Sequence, residues 1–386
     1  MPVRSLSLTS FRSYAQLELT LDEGPHVVVG RNAAGKTNLL ESLVVLSSGR
    51  SHRSAADSEM VSWGCQFART CAVVESGGRE MELEVVVHAR AAAGGRKRVR
   101  VNGVNRRASA LGPVLRMVLF APEDMLLVIG PPSLRRNALD ALVAQHGITA
   151  SAVMSTYSRA LTQRNSLLRR LREEAGSRDE LRFWDGVICE TGGRILDWRH
   201  ETLELLAGPL AAAHQEIAPQ EPELSLRYVS NAEPRVGETR ADALRRRLGE
   251  TAEKEVWNGA TLVGPHRDDF EFVAGGRELT LFASRGQQRT AILALKLAEL
   301  DLLTRLDGRP PLLLLDDVFS ELDPERRSHL VRRIGSLPQA IVTTTTPHDL
   351  DPALVAASSI WEVEPGSVHL TAMRERVTTD DRASGP

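Results

Sequence analysis

The apolar positions of the first hundred residues predict short strands around one helix. Residues Ser5–Leu8 and Leu17–Leu21 alternate or run apolar on either side of a polar turn, and Val27–Val29 is a short apolar run that ends at Gly30. Leucine and valine then recur at helical spacing from Lys36 to Leu46, which predicts a helix directly after the loop. Further strands are predicted at Thr70–Glu75, Met81–Ala89 and Arg98–Val101.

The pattern becomes almost continuously helical between Pro131 and Ala218. Two apolar stripes flank the break at Gly176-Ser177, so we expect an antiparallel helical hairpin. At about 1.5 Å per residue, each stripe gives an arm of roughly 30–50 Å. The stripes consist of Tyr157, Leu161, Leu168 and Leu171, and of Leu181, Trp184, Ile188, Ile195 and Trp198.

The return of a β/α pattern near Thr261 predicts a discontinuous domain. Residues 1–120 and 258–374 would form an α/β head with an antiparallel β lobe. Residues 121–257 would form an inserted, mainly helical arm. Residues 375–386 are polar and are predicted to be a disordered tail.

Composition narrows the class of protein. The chain has 386 residues, 42% hydrophobic and 25% charged, with a formal net charge of −2, which is typical of a soluble globular protein. No apolar run approaches the roughly 18 residues of a membrane span, and residues 1–5 lack the apolar core of a signal peptide. The three cysteines have no metal-ligand spacing and their odd number argues against a disulfide framework. We therefore expect a cytoplasmic protein.

A phosphate-binding loop follows the first apolar strand. It reads Gly30-Arg31-Asn32-Ala33-Ala34-Gly35-Lys36-Thr37. A glycine-rich turn between a strand and a helix start points backbone N–H groups at phosphate oxygens. Lys36 would bind the β- and γ-phosphates of ATP, and the Thr37 hydroxyl would ligate Mg²⁺. A chance glycine-rich turn is the alternative, but the flanking strand and helix favour the nucleotide site. Only four of the 48 basic residues are lysine, so a lysine at this position is less expected by chance.

An acidic pair ends the apolar run Leu312–Leu315. Such a run predicts a central parallel strand, and ligands bind beyond the carboxyl ends of such strands. Asp316 is then the expected Mg²⁺ ligand, and Asp317 is placed to polarise the attacking water. The alternative is an ordinary acidic turn. Related ATPases usually carry glutamate at the second position, and aspartate is shorter.

A second anion-binding segment precedes the helix predicted at Thr290–Leu306. It reads Ser284-Arg285-Gly286-Gln287-Gln288-Arg289. A serine and a glycine at a helix start leave N–H groups and the helix dipole available to an anion. An ordinary N-cap would be the default interpretation, but the segment lies shortly before the acidic strand.

The order of these motifs, with Ser320-Glu321-Leu322-Asp323 after the acidic pair, resembles an ABC-type ATPase head: Walker A, signature, Walker B and D-loop. Within that class the chain resembles the RecF family of recombination mediators from about residue 3 to about residue 350. The motifs that carry the resemblance are Phe11-Arg12-Ser13-Tyr14, Gly49-Arg50-Ser51-His52-Arg53, Phe120-Ala121-Pro122-Glu123-Asp124, Gly264-Pro265-His266-Arg267-Asp268-Asp269, the signature and the segment Asp316–Asp323.

The resemblance implies a mechanism. The signature residues Ser284, Gly286, Gln287 and Gln288 would contact, in trans, the ATP held by a second copy, with Arg12 at the nucleotide and Asp323 in the D-loop. Two ATP molecules would close a homodimer on DNA, and slow, DNA-stimulated hydrolysis would release it. RecF-like proteins are expected to act at single-strand gaps with RecR and RecO, to support RecA loading and to contribute to the SOS response.

The residue that senses the γ-phosphate is left open by the sequence. ABC-type heads usually carry a histidine after the strand that follows Walker B. Here Ala340–Val342 leads into a run of threonines, with His348 a few residues later. Thr344 is slightly favoured over His348.

DNA contacts would need local basic patches, because the net charge gives no global attraction to phosphates. The residues we favour lie on the predicted β lobe: Arg96, Lys97, Arg98, Arg106 and Arg107. For each patch a solvated face is the ordinary alternative. Motifs for reading base sequence are absent from the chain, so non-specific binding is expected.

Two other classes stay open. An ABC transporter subunit usually lacks a helical arm between Walker A and the signature. A small-molecule P-loop kinase needs neither a signature nor a dimer. Large SMC proteins are excluded, because their coiled coils take hundreds of residues.

Overall fold

The computed structural model describes residues 2–54, 56–92, 95–146, 149–173, 179–347 and 350–373. The chain divides into two compact units. The terminal unit comprises residues 1–105, 117–122 and 310–386, and the central unit comprises residues 106–116 and 123–309.

A run of strands between residues 67 and 120 is followed by a run of helices between residues 126 and 217, before strands and helices mix again. The strands are β1 (Val3–Phe11), β2 (Tyr14–Thr20), β3 (Gly24–Val29), β4 (Phe67–Ser76), β5 (Arg79–Ala92), β6 (Gly95–Val101), β7 (Val104–Arg106), β8 (Met117–Phe120), β9 (Leu224–Val229), β10 (Asp269–Ala274), β11 (Arg277–Glu278), β12 (Leu312–Asp316), β13 (Gln339–Thr344), β14 (Ser359–Glu364) and β15 (Ser367–Ala372). The helices are α1 (Lys36–Ser48), α2 (Leu126–Ile129), α3 (Pro132–His146), α4 (Ala150–Glu173), α5 (Asp179–Ile217), α6 (Arg240–Asn258), α7 (Leu279–Phe282), α8 (Arg285–Asp307), α9 (Pro324–Gly335) and α10 (Pro352–Ala356).

A mostly parallel sheet forms the core of the terminal unit. Its strand order is β15-β14-β3-β13-β12-β8, and only the β14–β15 pair is antiparallel. Every residue of β12 and β13 is buried, as expected for strands covered on both faces. In register, Asp316 lies opposite Thr343, and Thr344 lies opposite Val29. The ends of β3, β12 and β13 therefore meet at one edge of the sheet.

An antiparallel sheet of order β2-β1-β4-β5-β6-β7 accompanies it. The strands predicted in the first hundred residues fall within β1, β4, β5 and β6, and Leu17–Leu21 overlaps β2, which ends one residue earlier at Thr20. Helix α1 starts beside Gly35 and ends at Gly49, whose φ of 72° is the left-handed conformation that terminates helices. Its buried face carries Leu39, Leu43 and Leu46, as the helical spacing predicts.

Helices dominate the central unit. The start of α4 packs with the later part of α5, through Tyr157 and Ile195, whereas the end of α4 packs with the start of α5, through Leu168 and Leu181. This pairing makes α4 and α5 antiparallel, as the two stripes predicted. The 24 residues of α4 span about 36 Å. Among the described residues, no helix is long and apolar enough to cross a membrane.

The segment Gly264–Asp269 organises the polar interior of the central unit. Nδ1 of His266 lies 2.7 Å from the Tyr157 hydroxyl, and its Nε2 lies 3.1 Å from the Thr261 carbonyl. Because a carbonyl only accepts, Nε2 carries the proton and Nδ1 accepts from Tyr157. Burial lowers the pKa of His266 to about 4. Asp268 accepts hydrogen bonds from Tyr228 and other neighbours. The segment Gly264–Asp269, which carries part of the family resemblance in the sequence, therefore also has a structural role.

The fold class predicted from the sequence is confirmed: an α/β head of the P-loop type with an antiparallel β lobe and a mainly helical insertion. Residues 258–309, placed in the head by the sequence pattern, group with the central unit here. The division into 1–120, 258–374 and 121–257 as functional domains stays a prediction. The predicted tail 375–386 lies outside the described residues.

Candidate nucleotide site and signature helix

The predicted phosphate loop connects β3 to α1 and is tightly enclosed. A Cβ on Gly30 would lie 2.6 Å from the carbonyl oxygen of Val363, so only glycine fits there. Gly35 has a φ of 122°, and a Cβ there would lie 2.8 Å from the Tyr14 hydroxyl. That hydroxyl donates a 3.0 Å hydrogen bond to the carbonyl of Gly35. The loop is thus shaped by close backbone approach, which is what a phosphate cradle requires.

Lys36 points back into its own loop. Its Nζ donates to the carbonyls of Gly30 at 2.7 Å and Arg31 at 3.2 Å, and the residue is 7% exposed. Burial lowers the pKa of Lys36 from its ordinary value, and the charges of Asp317 and Asp316 act in the opposite direction. A cation held this way beside N–H groups is suited to binding phosphate oxygens.

Asp316 is the last residue of β12, and Asp317 follows it at the same edge of the sheet. Thr343 on β13 joins them, because its hydroxyl donates to Oδ1 of Asp316 at 2.7 Å and accepts from the N–H of Asp317 at 3.0 Å. Asp317 has a φ of 52°. Aspartate enters this left-handed conformation more readily than glutamate, which gives a physical reason for the shorter carboxylate. Sequence reasoning missed the role of Thr343.

The residues present fit a hydrated magnesium ion bound together with a nucleotide. Mg²⁺ prefers oxygen ligands and usually takes only one or two from the protein, the rest coming from phosphates and water. The half-buried Thr37 hydroxyl and the Asp316 carboxylate are such ligands. A carboxylate offers about four acceptor positions, so the bond from Thr343 is compatible with metal ligation.

Arg12, predicted to contact nucleotide, is engaged by the buried carboxylate of Glu41 on α1. Its Nε and one terminal nitrogen donate to the two oxygens of Glu41 at 2.9 and 2.6 Å. Ser51 also donates to Glu41, and Arg53 lies 3.6 Å away. Burial alone would raise the pKa of Glu41, but the bonds from Arg12 and Ser51 outweigh it and hold the pKa below its ordinary value. Glu41 thus joins the segments Phe11–Tyr14 and Gly49–Arg53. No local sequence pattern around Glu41 predicts this role.

Thr344 and His348 are the two candidates for the residue that senses the γ-phosphate. Thr344 is buried beside the loop: the N–H of Gly30 donates to its carbonyl at 3.2 Å, while its hydroxyl donates to the carbonyl of Thr346 at 2.9 Å. His348 lies outside the described residues. The identity of the switch stays a prediction.

The predicted D-loop leads directly into α9. Asp323 caps this helix by accepting from the N–H of Arg326 at 3.0 Å, and its side chain also pairs with the guanidinium of Arg326. These bonds outweigh desolvation and hold the pKa of Asp323 below its ordinary value. Asp323 therefore has a structural role as a helix cap, and its role in the D-loop stays a prediction.

The signature segment caps α8 in the central unit. The Ser284 hydroxyl accepts from the N–H of Gln287 at 3.3 Å, and the Gln287 side chain accepts from the N–H of Ser284 at 3.0 Å. This reciprocal pair is a capping box. Ser284 is exposed, and among the described residues the only neighbour that a Cβ on Gly286 would meet within 4 Å is the Ser284 hydroxyl, at 3.8 Å. Gln288 donates to the carbonyl of Ala283 at 3.1 Å.

The basic residues predicted to bind DNA differ in their surroundings: one is ion-paired within the chain and others are exposed to solvent. Lys97 forms a 2.8 Å ion pair with Asp57 and donates to the carbonyl of Gly49. Arg98, Arg106 and Arg107 are exposed. The side chain of Arg96 lies outside the described part of the chain.

Comparison with known proteins supplies independent findings. A profile of the family described as RecF/RecN/SMC N terminal domain matches residues 2–365. The DNA replication and repair protein RecF of Limosilactobacillus fermentum is 37% identical over 373 residues, covering 95% of this chain and 99% of that protein. A solved structure of the recombination mediator protein RecF with ATP, in the RecFOR pathway, superposes with a TM-score of 0.87 at 30% identity, covering 96% of this chain and 97% of that one. A Pyrococcus furiosus Smc head domain has a TM-score of 0.53 at 16% identity, with 96% of each chain covered, and shows the fold alone.

Fold and site together define an ATPase head of the ABC and SMC type. Within that class, the chain belongs to the RecF family. The transporter and small-molecule kinase alternatives are thereby set aside.

Proposed function

We propose that this chain is an ATP-switched DNA-binding protein of recombinational repair and replication, acting in the cytoplasm. Two copies close around two ATP molecules and hold DNA at single-strand gaps, and slow ATP hydrolysis opens the dimer. The observation that carries the proposal is the presence in one chain of an enclosed phosphate loop and an exposed signature capping box.

The chemistry is assigned to residues of the terminal unit. Lys36 and the N–H groups of Gly30–Thr37 bind phosphate oxygens. Thr37 and Asp316 hold Mg²⁺, which when bound neutralises charge on the transferred phosphoryl group. Thr343 keeps Asp316 in place and Asp317 polarises the attacking water. Ser284 and Gly286 of a second copy complete the site, with Gln287 and Gln288 supporting the helix start, and Thr344 or His348 senses the γ-phosphate.

DNA binding is assigned to the exposed arginines Arg98, Arg106 and Arg107, together with Arg96 and Lys97. Because these side chains would contact phosphates, affinity should fall steeply with salt and change little with base sequence. The relatives named in the RecFOR pathway suggest RecR- and RecO-like partners, and through them RecA loading and the SOS response.

Sedimentation tests this proposal with no nucleotide, ADP or ATP in the presence of Mg²⁺, each with and without gapped DNA. Dimers should form with ATP only and should persist on DNA. Lys36→Ala should abolish nucleotide binding, whereas Ser284→Arg should bind ATP but remain monomeric. A Ser284→Arg protein that dimerises normally would show that the signature does not act in trans.

A further inference from the structure

Two short helices of the central unit, α2 and the helix α7 that directly precedes the signature, expose four large apolar side chains. These residues are Leu126 and Ile129 on α2, and Leu281 and Phe282 on α7, and we call them the α2/α7 patch. Their exposed fractions are 43%, 51%, 69% and 68%. The hydroxyl of Thr280 donates a 2.9 Å hydrogen bond to the carbonyl of Val128, which ties the two helices together.

The patch has features of a protein interface. Single exposed leucines are ordinary on protein surfaces, but several large apolar side chains gathered on two bonded helices mark interaction sites. The guanidinium of Arg277 lies 5.8 Å from the centre of the Phe282 ring. An aromatic anchor beside a cation is the composition found at the centre and rim of protein interfaces.

The position of the patch identifies its occupant. Phe282 precedes the signature residue Ser284 by two positions, and the Ser284 hydroxyl caps the helix that follows. Under the proposed function, Ser284 reaches the phosphate loop of a second copy. The side chains immediately before Ser284 must then approach the same second copy.

We infer that the α2/α7 patch is the apolar anchor of the ATP-closed interface between two copies of this chain. The inference rests on the proposed function and adds to it a source of affinity. The signature itself offers a hydroxyl and N–H groups. These groups can donate hydrogen bonds to a phosphate, but their contact buries little apolar surface. Burial of Phe282 and its neighbours supplies the non-polar contact on which specific interfaces depend.

The test compares ATP-dependent dimerisation of single variants by sedimentation velocity. Phe282→Glu and Ile129→Glu should each raise the dimer dissociation constant about tenfold or more. Phe282→Leu, which keeps an apolar side chain, should stay within about threefold of wild type. ATP affinity measured at concentrations where the protein is monomeric, and thermal unfolding, should be unchanged in all three, because these side chains are exposed.

A matched control is Leu306→Glu, since Leu306 is 43% exposed near the other end of α8, about 30 Å from Ser284. It should dimerise like wild type. The defect of Ile129→Glu is decisive, because Ile129 lies on a separate helix and its replacement leaves the capping box intact. A defect confined to Phe282→Glu would instead indicate local damage to the signature and would overturn the patch.

The inference and the proposed function fail in different ways. If wild type dimerises with ATP, Ser284→Arg does not, and both glutamate variants dimerise normally, the patch is wrong and the trans signature stands. If wild type forms no ATP-dependent dimer, the proposed function fails and the inference falls with it.

Discussion

The hydroxyl of Thr343 connects the two residues of the acidic pair: it donates to the carboxylate Oδ1 of Asp316 at 2.7 Å and accepts from the backbone N–H of Asp317 at 3.0 Å. Thr343 is fully buried on β13, one position before Thr344. A neighbouring strand therefore sets the orientation of the proposed metal ligand and the backbone of the proposed water-polarising residue.

Thr343→Val tests this relationship, because valine matches threonine in shape and removes only the hydroxyl. We expect ATP turnover to fall about 10–100-fold, the usual loss when a residue that orients a metal ligand is removed. The Mg²⁺ concentration needed for half-maximal nucleotide binding should rise, whereas metal-free nucleotide affinity should hold. Thr343→Ser is the control and should retain most activity. Equal Mg²⁺ requirements in the valine variant and wild type would contradict the assignment.

The Arg12–Glu41 pair should matter for folding. Arg12→Met leaves the carboxylate of Glu41, which is 0% exposed, without its main cation, and should lower the free energy of unfolding by about 3 kcal/mol. Adding Glu41→Gln should restore much of that loss, because the buried charge is gone. Urea unfolding measures both. Arg170→Met, which breaks the exposed pair with Glu180, is the control and should change stability by less than about 1 kcal/mol. If the double variant were no more stable than Arg12→Met, the uncompensated charge would not be the cause.

Gly35→Ala should impair the phosphate loop for two separable reasons. A φ of 122° is unfavourable for alanine, and the new methyl group would lie 2.8 Å from the Tyr14 hydroxyl. ATP affinity should fall at least about tenfold, equivalent to about 1.4 kcal/mol. Gly78→Ala is the matched control, because Gly78 has a φ of 72° and a new Cβ there would meet no atom of the described residues within 4 Å. Nucleotide titration of both should show a loss only at Gly35; normal binding by Gly35→Ala would mean that the loop tolerates the displacement of Tyr14.

Acid should destabilise the central unit through His266. Its pKa is lowered from an ordinary 6.5 to about 4, first by burial and then by the charges of Arg267, Arg136 and Arg164. Above pH 6.5 the ring is neutral in both folded and unfolded chains. Between pH 6.5 and pH 4 only the unfolded chain takes up the proton, so stability falls as the pH falls. The contribution lost by pH 4.5 is on the order of 2–3 kcal/mol.

His266→Gln isolates this effect. Glutamine can accept from Tyr157 and donate to Thr261 but does not titrate in this range. Denaturant midpoints of both proteins are measured at pH 7, 5.5 and 4.5. As the pH falls, the midpoint of wild type should fall more than the midpoint of His266→Gln. Parallel losses would show that His266 does not titrate as assigned.

The sequence predicted those parts of the fold and site that depend on local pattern. The strand before Gly30, the helix after it, the buried strand ending at Asp316 and the hairpin of α4 and α5 all follow from periodicity. The Ser284–Gln287 cap follows from residue types at a fixed spacing.

The parts that escaped prediction depend on contacts between distant segments. Glu41 sits on a helix where a charged residue ordinarily faces water, and its burial is explained by hydrogen bonds from Arg12 and Ser51, which the fold brings together. Thr343 stands among four successive threonines, and the register of β13 against β12 decides which one meets Asp316. The register between two parallel strands cannot be predicted from the local sequence of either strand.

Under the proposed function, the inward turn of Lys36 makes nucleotide binding an exchange of hydrogen bonds. Its Nζ already donates to two carbonyls of its own loop, so an arriving phosphate replaces those bonds rather than adding to them. Hydrogen bonding is then nearly conserved, and the gain comes from substituting full negative charge for neutral oxygen. A ligand with the shape of ATP but without phosphate charge would gain little from this lysine. Under the same proposal, the loop would select ligands by their charge before any second protein copy arrives.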